Sequence, residues 1–151
     1  MDYLTRLKNR NAYQLDMKNR IAAKKEKDTG FILIDLNSLK HINDTMGHET
    51  GDRYITCISQ AYLNMGPEDG IMYRIGGDEF VVQLDGLGQD QVFRGILAME
   101  RAVKAYSDGN VFPAGIAAGY AFFDPGKDVS LESTLARADT YMYRKKHKMK
   151  R

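Results

Sequence analysis

The apolar positions of this chain alternate between two spacings, and each change marks an element. Residues 31–36 form a nearly continuous apolar run closing on Asp35, which predicts a buried strand with a carboxylate near its C-terminal end. Residues 71–75 and 80–84 are rich in β-branched and aromatic side chains, and Phe80, Val82 and Leu84 alternate as if facing inward, so the pair reads as a hairpin. Residues 114–123 read as the last main strand. Helical spacing fills the intervals: Tyr54, Ile55, Ile58 and Tyr62 within 51–64; Val92, Ile96, Met99 and Val103 after Leu87-Gly88; and Leu131, Leu135, Ala138 and Met142 near the end. Asn9 or Asn11 is placed to cap a first helix running to about Lys27, and a short helical turn over 38–45 is broken at Gly47. Gly66-Pro67 stops the helix before the hairpin. The order α-β-α-α-β-β-α-β-α contains β-α-β-β-α-β. That is the ferredoxin-like split βαβ pattern of an α+β fold, an antiparallel sheet with helices on one face.

Composition narrows the class. The 151 residues, 43% hydrophobic and 28% charged, suit one domain, 1–151, with a real core. The run Phe31-Ile32-Leu33-Ile34 is far too short to span a bilayer, and the polar stretch 1–27 has no signal-peptide pattern, so no direct membrane insertion is expected. The single cysteine, Cys57, excludes an intrachain disulfide and a cysteine zinc cluster; its place in the 54–62 stripe makes it core filler. A net charge of +2 gives no whole-domain attraction to nucleic acid. Basic residues do gather at the C-terminus (Arg144, Lys145, Lys146, His147, Lys148, Lys150, Arg151), where they complement a helix dipole or face a polyanion. The chain starts directly on structured-looking sequence and is read as a domain excised from a longer signalling protein.

The sharpest chemical signal is Arg74-Ile75-Gly76-Gly77-Asp78-Glu79-Phe80. A two-residue Gly-Gly connection suits the primed hairpin turns, whose central positions can need φ > 0. Glycines there also bare the backbone to a bulky ligand, and Asp78 and Glu79 set negative charge beside the opening. That combination fits a metal-bound phosphate ligand. Taken alone, the pattern is equally that of a plain hairpin. The literal string Gly-Gly-Asp-Glu-Phe resembles the signature of GGDEF domains, the diguanylate cyclases that make cyclic di-GMP from two GTP molecules. The resemblance extends along the chain. Residues 2–10, Asp-Tyr-Leu-Thr-Arg-Leu-Lys-Asn-Arg, are similar to the family's opening block, with Arg6 where glycine is usual. Residues 35–44, Asp-Leu-Asn-Ser-Leu-Lys-His-Ile-Asn-Asp, resemble its strand-end segment, and Gly47-His48-Glu49-Thr50-Gly51-Asp52 its Gly-His-x-x-Gly-Asp. Ala138-Asp139, Tyr143 and Lys146 match its closing block.

The resemblance implies a palm-like nucleotidyl-cyclase fold and a set of site residues. Asp35, the backbone carbonyl of Leu36 and Asp78 would hold two Mg²⁺ (or Mn²⁺) ions per half-site, with Glu79 assisting. The physical chemistry agrees: in a split βαβ sheet Asp35 and Asp78 can sit side by side as hard oxygen ligands. Asp78, Lys40 and Glu79 are the expected catalytic residues, with Asp78 nearest proton removal. Asn43 and Asp52 occupy the guanine-reading positions, an amide that both donates and accepts and a carboxylate acceptor for N1–H and the N2 amine. His48, Gly76 and Gly77 border the substrate. Lys40, Lys146 and Lys150 face the triphosphate, as point charges.

Some positions depart from the family pattern. Asn37 replaces a second aspartate, Met149 a glycine and Lys150 an arginine, which removes the bidentate fork from the outermost phosphate contact. Pro67-Glu68-Asp69-Gly70 stands where many members carry the Arg-x-x-Asp of an inhibitory product site, so product inhibition by that route is not expected. The expected function is a diguanylate cyclase working as a homodimer on GTP, on the cytoplasmic side, under an upstream sensor domain. The alternative is a GTP-binding signalling module without turnover. A nucleic-acid-binding role lacks aromatic interleaving and a helix-turn-helix pattern.

Overall fold

The computed structural model describes residues 1–65, 70–86, 88–110 and 115–149. In chain order the elements are α1 (Arg10–Ala22), a 3₁₀ turn (Glu26–Asp28), β1 (Thr29–Leu36), α2 (Leu39–Met46), α3 (His48–Met65), β2 (Gly70–Arg74), β3 (Glu79–Asp85), α4 (Gln89–Asn110), β4 (Ile116–Phe122) and α5 (Leu131–Met149). Among the described residues there is one four-stranded antiparallel sheet, ordered β2-β3-β1-β4. The α+β class and the split βαβ order are those the apolar periods predict.

Local chemistry accounts for most boundaries. Asn9 is the cap of α1, its side chain accepting from Ala12 N–H at 2.9 Å. The helix ends at Ala22, short of the expected Lys27, because Lys24 turns the chain at φ 56°. Helix α3 starts at His48 rather than at 51 and carries Tyr54, Ile55, Ile58 and Tyr62 into the core as expected. Cys57 packs half-buried against the same core, and burial raises its thiol pKa. Arg6 sits in the left-handed region at φ 63°, a conformation that explains the glycine usual there.

The helices cover both faces of the sheet, which corrects the one-face expectation. Ile32, Ile34, Phe80, Val82 and Leu84 pack with Tyr54, Ile58, Val92, Ile96 and Met99 from α3 and α4. Phe31, Leu33 and Val81 pack on the opposite face with Met17 of α1 and Leu131, Ala138 and Met142 of α5. Two-sided burial is why every position of β1 is buried. Each large side chain sealed there, such as Phe31 or Ile58, contributes roughly 2 kcal/mol of hydrophobic stabilisation.

Close approach decides where α5 sits. A Cβ at Gly119 would lie 2.3 Å from both the Ala138 carbonyl oxygen and the Met142 nitrogen. Only a glycine in β4 lets this helix lie so near the sheet, and α5 carries Lys146 to the end of β1.

The hairpin differs from its predicted form. Neither Gly76 nor Gly77 adopts positive φ. The strands are joined by the four-residue segment 75–78, closed by Ile75 N–H and Gly76 N–H donating to the Glu79 carbonyl at 3.0 and 3.3 Å. A primed two-residue turn is therefore absent from this connection.

Candidate active site

Sheet register builds the centre of the site. Antiparallel pairing sets Asp35 of β1 opposite Glu79 of β3, and Leu36 N–H donates to the Asp78 carbonyl at 2.9 Å. The expected juxtaposition of Asp35 with Asp78 and Glu79 thus follows from backbone hydrogen bonds. The Lys146 Nζ lies 2.5 Å from Asp35 Oδ2. Asp35 is only 5% exposed, while Glu79 is exposed at the start of its strand.

The electrostatics follow from this crowding. Burial pushes the Asp35 carboxyl above the usual carboxylate range; the Lys146 hydrogen bond opposes that and the Asp78 charge adds to it. Glu79 is raised too, first by the partial desolvation of its carboxyl against the cluster and then by the charges of Asp35, Asp78 and Asp139. The Lys146 ammonium is held above its ordinary value, chiefly by its bond to Asp35.

Asp35 Oδ1 is buried and receives no hydrogen bond from a described residue. An acceptor-only oxygen, buried beside two more carboxylates, suits a hard divalent cation with oxygen ligands. As the side chains stand, no group of three or more His, Cys, Asp or Glu among the described residues is set to hold a metal ion. The other Asp35 oxygen is engaged by Lys146. The donor chemistry fits Mg²⁺ or Mn²⁺; the arrangement is that of a site closed around an internal ammonium.

A second group of expected residues gathers at α2 and α3. Asn43 Oδ1 is buried without a hydrogen-bond partner, and a Cβ at Gly51 would lie 1.7 Å from it. Gly51 therefore makes the room in which the Asn43 amide rests. Asp52, one residue on, is exposed and borders a cavity of about 600 Å³ shared with Leu4, Thr56 and Cys57. His48, at the first position of α3, and Lys40, in the first turn of α2, are exposed. Lys150 and Pro67-Glu68-Asp69 lie outside the described residues, as does the side chain of Met149.

Four side chains that brace the site, Arg74, Asp2, Thr5 and Tyr54, had no site role in the sequence pattern. Arg74 bonds the carbonyls of the glycine turn, Nε to Gly76 at 3.3 Å and Nη2 to Gly77 at 3.0 Å. Its Nη1 reaches both oxygens of Asp2, at 3.1 and 3.3 Å, and Asp2 is fixed in turn by Thr5 N–H and hydroxyl at 2.8 and 2.6 Å. The Tyr54 hydroxyl receives Gly115 N–H at 2.8 Å and lies within donating reach of both the Gly115 carbonyl and, at 2.9 Å, the Asn37 carbonyl, fastening the chain just past Asp35. The presence of Asp2, Thr5 and Arg74 in the family-like blocks was the available signal.

The family model "Diguanylate cyclase, GGDEF domain" matches residues 1–151. The chain belongs to the GGDEF family. Among curated relatives, the diguanylate cyclase DosC of Escherichia coli is 30% identical over 149 residues, 95% of this chain and 32% of DosC. The diguanylate cyclase TpbB of Pseudomonas aeruginosa is 31% identical over 148 residues, 94% of this chain and 34% of TpbB. The chain thus spans about a third of the length of these relatives. The solved GGDEF domain of Pseudomonas aeruginosa TpbB superposes with a TM-score of 0.81 at 28% identity, covering 97% of this chain and 88% of that one. The coiled coil and GGDEF domain of DgcB from Caulobacter crescentus, solved with c-di-GMP, shares the fold: TM-score 0.80, 24% identity, 97% of this chain and 80% of that one. No helix among the described residues of this GGDEF domain is long and apolar enough to cross a membrane.

Proposed function

We propose that this GGDEF domain condenses two GTP molecules into cyclic di-GMP, releasing two pyrophosphates. Two protomers, each holding one GTP, face each other so that each 3′-hydroxyl attacks the other nucleotide's α-phosphate. The observation that carries the reading is the register-built cluster of Asp35, Asp78 and Glu79 with its unpartnered buried oxygen, beside the glycine turn. Asp35, the Leu36 carbonyl, Asp78 and Glu79 would hold Mg²⁺ or Mn²⁺, which would activate the attacking hydroxyl and neutralise the leaving pyrophosphate.

The protein's own groups supply binding and orientation. Asn43 and Asp52 read the guanine edge, and an adenine would leave the Asp52 acceptor unpaired at a cost of roughly 1–3 kcal/mol. His48 borders the nucleotide, and Lys40 and Lys146 meet the triphosphate, with Lys150 at its outer end. Asp78 stands nearest the proton that leaves the hydroxyl. Gly77 supports the reading from the opposite direction: a Cβ there would meet nothing within 4 Å, and its φ is not left-handed. The fold itself has no use for glycine at that position, whereas a phosphate lying against bare backbone does.

Incubation with GTP and Mg²⁺, followed by chromatography, should yield cyclic di-GMP and pyrophosphate. GTP retained without conversion would favour the signalling-module alternative, which the uncharged Asn37 beside the carboxylates motivates. Equal affinity for GTP and ATP, unchanged in Asp52→Ala, would remove the guanine-reading assignment.

A further inference from the structure

The ion pair between Lys146 and Asp35 joins two residues with opposite expected assignments, one to phosphate and one to metal. It is short, 2.5 Å, and its partners are 29% and 7% exposed at the side chain. The ammonium also feels the charges of Asp78 and Glu79. It is the cation that balances the cluster among the described residues, and it takes one Asp35 oxygen while the other stays without a donor.

We propose that Lys146 is a tethered placeholder cation: it holds Asp35 in the metal-free protein and is released to the triphosphate when a divalent ion takes that carboxylate. The inference rests on the metal reading above and adds a role to this chain's own lysine. Its physical basis is competition. An ammonium on Asp35 Oδ2 repels a divalent ion drawn to the free Oδ1 of the same carboxylate, so each weakens the other's hold on Asp35. In the metal-free state the lysine screens three carboxylates that would otherwise repel one another. Once displaced, the same side chain hangs from α5 at the rim of the site as an unpaired cation, available to a phosphate. Metal binding and nucleotide binding are thereby coupled through one side chain, beyond any direct contact between metal and phosphate.

The test needs no turnover. Mn²⁺ alone is titrated calorimetrically into nucleotide-free wild type, Lys146→Met, Lys40→Met and Asp35→Asn. Removing the competing ammonium should tighten Mn²⁺ binding by about threefold to tenfold in Lys146→Met, while Lys40→Met changes it less and Asp35→Asn loses it. In wild-type protein the side-chain ammonium NMR signal of Lys146 should shift on Mn²⁺-free titration with Mg²⁺, before any nucleotide is added. Equal affinities in wild type and Lys146→Met, or an ammonium signal unmoved by Mg²⁺, would overturn the placeholder role. If Asp35→Asn still abolished binding in that case, the metal assignment would stand; if Asp35→Asn bound Mn²⁺ as wild type does, the metal assignment itself would fail.

Discussion

Because burial and the charge of Asp78 hold the Asp35 carboxyl above its ordinary range, ionising it weakens the folded state. A raised folded pKa means the native protein binds the proton more tightly than the unfolded chain, whose Asp titrates at about 3.9. Stability from this group is therefore full below that pH and declines as pH rises through the folded value. At pH 7 Asp35→Asn should keep the wild-type Tm or raise it, while cyclic di-GMP formation falls by about a hundredfold or more. Thermal unfolding and initial rates on the same preparations check both halves. Asp78→Asn should lose activity equally with little change in Tm. Gly77→Ala separates fold from function more finely. With open space at its Cβ and no left-handed φ, it should shift Tm by no more than about 1 °C and weaken GTP binding about tenfold, through the nucleotide it obstructs.

At the scale of elements, two polar fasteners position the site. The α5 helix is anchored by Asp128, which accepts from Asp124 N–H at 2.9 Å, the Thr134 hydroxyl at 2.9 Å and both Nε and Nη2 of Arg137 at 2.8 and 2.6 Å. These bonds hold its carboxyl well below the usual range, at about 2. Stability from a depressed acid is present above its unfolded pKa of about 3.9 and lost as pH falls through the folded value. Asp128→Ala should cost about 2–4 kcal/mol at pH 7, and denaturant titrations should show the gap to wild type narrowing below about pH 4. Arg74→Ala should release the turn carbonyls and Asp2, lowering stability by about 1–3 kcal/mol and GTP affinity about tenfold, as calorimetry and unfolding can measure. These fasteners also show where legibility ended. Strand and helix order could be read because the apolar period changes locally, within a few residues of Phe31, Tyr54 or Val92. The form of the glycine turn could not, because Arg74 bonds its carbonyls while paired with Asp2, 72 positions away. The near-continuous apolar run through Phe31 and Leu36 did hint at two-sided burial, yet which helices cover which face depends on packing at Gly119 that no local pattern announces. The carboxylates were found by motif and spacing; the ion pair of Lys146 with Asp35 spans 111 positions and emerged only from the fold.

For the whole molecule, the proposed reaction joins two substrates held on two protomers, so encounter becomes part of catalysis. A domain spanning about a third of DosC or TpbB presents only this half of the geometry. Placing a parallel coiled coil before Met1 should raise its rate by raising effective concentration. The most direct measurement is cyclic di-GMP formed from saturating GTP and Mg²⁺, quantified by chromatography, as the concentration of this GGDEF domain is increased. Specific activity should climb with protein concentration toward a plateau, with Asp78→Asn inactive throughout. Product formed at a specific activity independent of concentration by a protein that remains monomeric, or no cyclic di-GMP at any concentration, would contradict condensation between two facing protomers.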